Sequence, residues 1–382
     1  MERSPGTLTT KGPRDVSPAS DKFFMGHALR LARRRTGSTY PNPCVGAVLV
    51  KRGQVLAAAS SAATGGDHAE VRVLARAGSA AKGSTLFVTL EPCAHFGRTP
   101  PCVGAIRAAG VRTVVVGIRD PALHVRGRGI AALRRAGIVV REVSTGEAEA
   151  VHAHYLHHLR AGLPWVTLKI ASSIDGRIAT AAGDSKWITG EPARRHAHRL
   201  RAEHHAIAVG AATVALDDPG LDVRMARGVN PTPVIFDTRL ALFSGRRGTG
   251  ALPRLARSGS IFVYTSLASR AAIRRLTACG AEGIEVPRTE HSHVSISEAL
   301  KALGARDFRS LLVEGGGRLL GAFVGEQQWQ RIYHYQAPLL LGDGRPLLSG
   351  VSWPDVVSAP RLRVLARKAL GEDQLTVLER RL

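Results

Sequence analysis

Apolar positions recur at helical spacing from Lys22 to Arg35, where Phe23, Phe24, Ala28, Leu29, Leu31 and Ala32 share a face, and Thr39-Tyr40-Pro41-Asn42-Pro43 ends that helix. Val45 to Val50 and Val55 to Ala59 read as a hairpin around Lys51-Arg52-Gly53, and Ser84 to Leu90 reads as a strand. The stretch Glu147 to Arg160 reads as one continuous helix, closed by Ala161-Gly162-Leu163-Pro164. Beyond it, apolar runs predict strands at Trp165 to Ala171, Ala206 to Gly210, Pro233 to Asp237, Ile261 to Tyr264, Ser310 to Glu314 and Ile332 to Gln336. Helical patterns at Pro192 to Arg201, Ser269 to Ala278, Ser295 to Leu303 and Gly317 to Val324 fall between some of these strands. Both halves therefore predict α/β architecture. The Ser-, Thr-, Pro-, Gly- and charge-rich segment 1–21 lacks apolar periodicity and predicts a disordered lead-in. A first domain over 22–163 and a second over 164–382 follow, without internal repeats or sustained heptads.

Composition changes this picture only at its edges. A net charge of +23 favours anionic partners, but its 53 basic residues, 45 of them arginine, are scattered along the chain. Nucleic acid, an anionic membrane or small phosphorylated substrates would all suit this charge, but a GC-rich genome that writes arginine for lysine accounts for the same totals, and with aromatics at 5% stacking platforms for single strands are scarce. No apolar run approaches the roughly 18 residues that a membrane span needs. Four cysteines in a chain of 382 residues without an apolar signal core predict a reduced, cytoplasmic protein. A homo-oligomeric assembly stays open.

The cysteines carry the first candidate chemistry. His68-Ala69-Glu70 opens a helix, Glu91-Pro92-Cys93 follows a strand, and Pro101-Cys102 comes shortly after. One imidazole and two thiolates suit a catalytic Zn²⁺ with an open fourth position, where bound water becomes acidic enough to react at neutral pH. Glu70, two residues from His68, suits a carboxylate that is not a ligand and carries a proton to a departing amine. The alternatives are unliganded buried cysteines or a zinc site that serves only folding, and the latter would normally carry a fourth protein ligand and has no use for Glu70.

The wide Cys93-Ala94-His95-Phe96-Gly97-Arg98-Thr99-Pro100-Pro101-Cys102 insert resembles the bifunctional deaminase/reductase family of bacterial riboflavin biosynthesis. So do Pro41-Asn42-Pro43, Gly127-Arg128-Gly129 and Ala136-Gly137-Ile138. In the second half, Lys169-Ile170-Ala171-Ser172-Ser173-Ile174-Asp175-Gly176-Arg177, Ser185-Lys186-Trp187-Ile188-Thr189-Gly190, Asp217-Asp218-Pro219 and Val313-Glu314-Gly315-Gly316-Gly317 continue the resemblance in order. It implies a cytidine-deaminase-like α/β/α domain followed by a dihydrofolate-reductase-like α/β domain, with Zn²⁺ and NADPH as cofactors and a phosphorylated pyrimidine as substrate. His68, Cys93 and Cys102 would hold the metal, and Glu70 would move the proton. Asn42 would bond the pyrimidine and Arg98 the phosphate. In the reductase, Ser185, Trp187, Thr213 and Gly316 would contact the cofactor, while Thr189, Arg224 and Glu314 would face the sugar phosphate. Lys169 and Asp217 are expected to act as a pair in proton management.

Three positions depart from the family. Ser61 stands where a histidine is usual, Ala122 where an asparagine is usual, and Leu339 where a lysine is common. They bear on substrate recognition, so a paralogue acting on a related pyrimidine is the second reading. A basic nucleic-acid-binding protein with a deaminase-like shell is the third. The cluster His152, His154, His157 and His158 reads as a solvated helix face rather than a second metal site.

Overall fold

The alternation near the N-terminus becomes a five-stranded sheet. The computed structural model describes residues 18–97, 99–123, 125–244, 255 and 259–380, and the chain divides into two units that meet in sequence between Arg160 and Ala161.

In the first unit, helix α1 (Pro18–Arg33) leads into strands β1 (Gly46–Lys51) and β2 (Gln54–Ser60), then α2 (Ala69–Ala77), β3 (Thr85–Val88), α3 (Cys102–Ala108), β4 (Thr113–Val116), α4 (Arg128–Arg135) and β5 (Val139–Glu142). Helices α5 (Gly146–Val151) and α6 (Ala153–Ala161) follow, the latter reaching the boundary. The sheet order is β2-β1-β3-β4-β5, with β1 antiparallel to both neighbours and β3, β4 and β5 parallel. Side chains alternate across it. Val48, Phe87 and Val115 pack with Phe24, Met25 and Leu29 of α1 on one face, and Leu49, Leu86, Val88 and Val114 pack with Val73 of α2 and Ile106 of α3 on the other. The β1–β2 turn is tight because Arg52 and Gly53 both take positive φ, 51° and 72°. At Gly46 a Cβ would lie 2.0 Å from the Ala28 carbonyl oxygen, so α1 rests directly on the β1 backbone.

Two expectations change here. The helix begins at Pro18 rather than after Asp21; proline is tolerated in a first turn, and Asp21 is buried against Arg141, 2.8 Å away. The rest of the expected lead-in, 1–17, lies outside the described residues. The single helix expected over 147–160 is broken at His152. That ring is buried and meets the Thr89 hydroxyl at 3.1 Å, while His154 Nδ1 meets the Tyr40 hydroxyl at 2.7 Å. The histidine cluster is therefore not a solvated face: two of its rings serve as tethers.

In the second unit, β6 (Trp165–Ser173), β7 (Arg177–Ala179), α7 (Glu191–Ala202), β8 (Ala206–Gly210), α8 (Ala211–Asp217), β9 (Thr232–Phe236) and β10 (Ile261–Tyr264) come first. Then come α9 (Arg270–Ala278), β11 (Glu282–Glu285), α10 (Ile296–Gly304), β12 (Ser310–Val313), α11 (Gly317–Gly325), β13 (Arg331–Ala337), β14 (Arg345–Pro346), β15 (Leu362–Leu370) and β16 (Asp373–Arg380). The nine-stranded sheet runs β11-β10-β9-β8-β12-β6-β13-β16-β15, parallel from β11 to β13 and antiparallel over the last two pairings. Its central strands are apolar on both faces, as strands covered by helices must be. Ser269 and Ser295 cap α9 and α10 by accepting the Ala272 and Glu298 N–H groups. No helix among the described residues is long and apolar enough to cross a membrane.

Candidate functional site

In the first unit, helix starts gather the sulfur and nitrogen donors. His68 is the N-cap of α2 in an extended conformation, so its ring leaves the helix end and Glu70 falls in the first turn. Cys102 is the first residue of α3, and its N–H donates to the Cys93 sulfur at 3.4 Å. The His68 Nδ1 lies 3.2 Å from Cys102 Sγ and 3.6 Å from Cys93 Sγ, and all three donor atoms fall within 4.8 Å of one another. A tetrahedral Zn²⁺ bonded at ordinary lengths would separate nitrogen from sulfur by about 3.6 Å, so the trio fits that ion. Among the described residues, no other group of His, Cys, Asp or Glu side chains gathers this way.

The electrostatics fit as well. The Cys102 thiol bonds to the Cys93 sulfur and holds its pKa down to about 4, while the resulting thiolate pushes Cys102 up. The bond from Cys93 raises His68, and burial raises Glu70. Glu70 is 3% exposed and its Oε2 has no hydrogen-bond partner. A buried, unpartnered carboxylate oxygen is costly unless a ligand completes it.

Asn42 is exposed in a turn closed by its own N–H to the Thr39 carbonyl at 2.9 Å. Arg98 lies outside the described residues. Ser61, in the place of the usual histidine, is buried, and its Oγ accepts the Val45 N–H at 3.2 Å. Sequence reasoning missed Glu91. Its carboxylate accepts N–H groups from Asp120, Gly127 and Ile130 at 3.2, 3.0 and 3.1 Å, fastening the 120–130 segment beside Cys93. Gly129 completes the fit, since a Cβ there would lie 1.9 Å from the Pro92 carbonyl oxygen.

The second unit holds a buried charge cluster. Leu168 on β6 pairs in register with Val313 on β12, which sets Lys169 beside Glu314 at 3.8 Å. Arg201 from α7 forks onto the same carboxylate at 2.7 and 2.9 Å. Burial alone would raise Glu314, but Arg201 and Lys169 overturn it and bring its pKa to about 2. Burial lowers Lys169. Asp217 ends α8, and among the described residues the carboxylate within ion-pair reach of Lys169 is Glu314. Arg201 was not foreseen, because one arginine among 45 does not stand out without the register.

Beside the cluster, the adjacent parallel strands β8 and β12 each lead into a helix, with Gly210 and Gly316 as caps. Helix starts at the carboxyl ends of parallel strands form a crevice suited to anions. Thr213 Oγ1 lies 4.0 Å from where a Gly316 Cβ would be, so the two residues stand close together at these helix starts. Arg224 pairs with Asp222 at 2.5 Å, and its N–H donates to His198 Nδ1 at 3.3 Å. Trp187 is 64% exposed, Thr189 is buried, and Ser185 is half-buried before α7.

Comparison with known proteins places both halves. The model of the RibD C-terminal domain matches residues 164–376, and that of the cytidine and deoxycytidylate deaminase zinc-binding region matches residues 18–118. The riboflavin biosynthesis protein RibD of Bacillus amyloliquefaciens is 39% identical over 92% of this chain and 94% of its own length. The Escherichia coli protein of that name is 37% identical over 92% and 97%. Among solved structures, Acinetobacter baumannii RibD aligns at a TM-score of 0.84, 33% identical over 96% of this chain and 100% of that one. A diaminohydroxyphosphoribosylaminopyrimidine deaminase/5-amino-6-(5-phosphoribosylamino)uracil reductase from Thermotoga maritima aligns at 0.82, 31% identical over 95% and 99%. With a deaminase zinc-binding region, a reductase domain that spans more than half its length and relatives matched nearly end to end, the chain belongs to the RibD family of bifunctional riboflavin-biosynthesis enzymes.

Proposed function

We infer that the first unit hydrolytically deaminates a diamino-ribosylamino-pyrimidinone 5′-phosphate and that the second reduces the ribosyl group of the product to ribityl with NADPH. The observation that carries this reading is the His68, Cys93 and Cys102 trio beside the buried, unpartnered Glu70 oxygen. Bound zinc supplies a water acidic enough to attack the ring near neutral pH. The chain's part is to move the proton. Glu70 Oε2, shielded from bulk water, accepts it and returns it to the leaving amine. Asn42 and Arg98 hold the pyrimidine and its phosphate.

In the second unit NADPH supplies the hydride. Ser185, Trp187, Thr213 and Gly316 receive the cofactor, while Thr189 and Arg224 face the sugar phosphate. Lys169 would face the ribose with Glu314 as its counter-charge, and burial eases release of a proton from its ammonium to the opening ring oxygen. Asp217 partners Lys169 in proton management. The reduced thiols of the trio suit a cytoplasmic location.

The test incubates the protein with the diaminopyrimidine phosphate and NADPH and follows both products by mass. Glu70→Gln is expected to keep its zinc and lose ammonia release by more than about 10²-fold. The same variant should still oxidise NADPH when given the deaminated intermediate. Ammonia release at the wild-type rate from Glu70→Gln would end this account of the first unit.

A further inference from the structure

Helix α7 starts without a cap of its own. Its N-cap is Gly190, which has no side chain, and Ala193 stands where a capping box would place Glu or Gln. Pro192 in the first turn has no N–H to offer a partner. The Gly190 N–H instead donates to Asp373 Oδ2 at 2.7 Å, across 183 residues of sequence. Asp373 opens β16 and is 4% exposed, and among the described residues no lysine or arginine forms an ion pair with it. In the turn before it, Gly371 takes φ +70°, and a Cβ there would lie 3.3 Å from the Pro192 ring. The tip of the β15–β16 hairpin therefore sits on the first turn of α7 and does the work of its missing capping residue.

The segment this contact secures is 185–190. The Arg194 guanidinium, one turn into α7, donates to the Thr189 carbonyl and lies 4.7 Å over the Trp187 ring. Asp373, Gly190, Arg194, Thr189 and Trp187 are thus joined, so the approach to α7 and its first turn hold together. A carboxylate near a helix N-terminus also faces its positive end.

We propose that Asp373 is a positioning residue of the reductase: by accepting the Gly190 N–H it fixes the 185–190 segment in the arrangement that receives the nicotinamide cofactor. This rests on the reading above that Ser185 and Trp187 contact NADPH. The contact needs an acceptor at Oδ2. Asparagine can supply one and alanine cannot.

The experiment measures NADPH binding by fluorescence titration in full-length, zinc-loaded wild-type, Asp373→Ala and Asp373→Asn proteins, with ammonia release as the control on the first unit. The Kd for NADPH is expected to rise by about tenfold or more in Asp373→Ala, the scale of a hydrogen bond lost from a charged acceptor, and to stay within about threefold in Asp373→Asn. The KM for NADPH should follow the Kd, with kcat and ammonia release little changed. An unchanged Kd in Asp373→Ala overturns the proposal, and so does an equal rise in both variants. Loss of secondary structure in the second unit of Asp373→Ala assigns the residue to folding and equally overturns it. A wild-type protein that does not bind NADPH would instead remove the reading on which the proposal rests.

Discussion

Glu314 serves two cations at once, Arg201 and Lys169. Its carboxylate is 8% exposed and takes a forked pair of bonds from Arg201 with Lys169 at 3.8 Å. Removing it strands two buried positive charges, so Glu314→Ala should destabilise this unit by about 3–5 kcal/mol, read from its denaturant midpoint. Lys169→Met leaves the Arg201–Glu314 fork in place. It should unfold near the wild-type midpoint yet reduce substrate about 10²-fold more slowly, measured as NADPH oxidation. At this scale the sequence carried the chemistry but not the partnerships. His68, Glu70, Cys93 and Cys102 are readable because their types and spacing suit one ion and one proton carrier. Lys169 is readable because a lysine in an apolar strand needs a reason. That its counter-charge is Glu314 depends on β6 lying beside β12, a register that local pattern does not encode.

Elements show how far apolar spacing reaches. Strands β8 and β10 fall where the apolar runs end, since both faces are buried and every residue reports it. β15 was not foreseen: most of its residues are exposed, so it has no buried face to write an alternation. The break at His152 was hidden for another reason. Histidine is compatible with a helix, and only the Thr89 hydroxyl across the packing turns its ring inward. The close approach of α1 to β1 at Gly46 can be tested directly. Gly46→Ala places a methyl 2.0 Å from a backbone oxygen that has no rotamer to escape into. The expected cost is about 1–3 kcal/mol or more, seen as a lower midpoint for the first unit and weaker zinc retention, with the second unit's midpoint unchanged.

At the scale of the molecule, both units carry a buried neutral histidine that makes them acid-sensitive. Burial lowers the pKa of His152 to about 4 in the first unit and that of His204 to about 4 in the second. His204 Nδ1 meets the Leu200 carbonyl at 2.7 Å and must donate to it, leaving Nε2 to accept the Thr167 hydroxyl at 2.8 Å. Above pH 6.5 neither the native nor the unfolded ring is charged, and the full contribution is present. Between pH 6.5 and 4 only the unfolded ring takes up a proton, so stability falls by on the order of 3 kcal/mol per histidine; below 4 it falls no further. Urea midpoints at pH 7, 5.5 and 4.5 should show this slope, and His152→Gln should flatten it for the first unit alone.

The strand order of the second unit also bears on how the chain is made. β15 precedes β16 in sequence, yet β16 lies inside, between β13 and β15. A ribosome therefore releases the outer strand first, and β13 waits with a bare edge until residues 373–380 emerge to zip against it. During that interval the edge of β13 is open to pairing with a neighbouring chain.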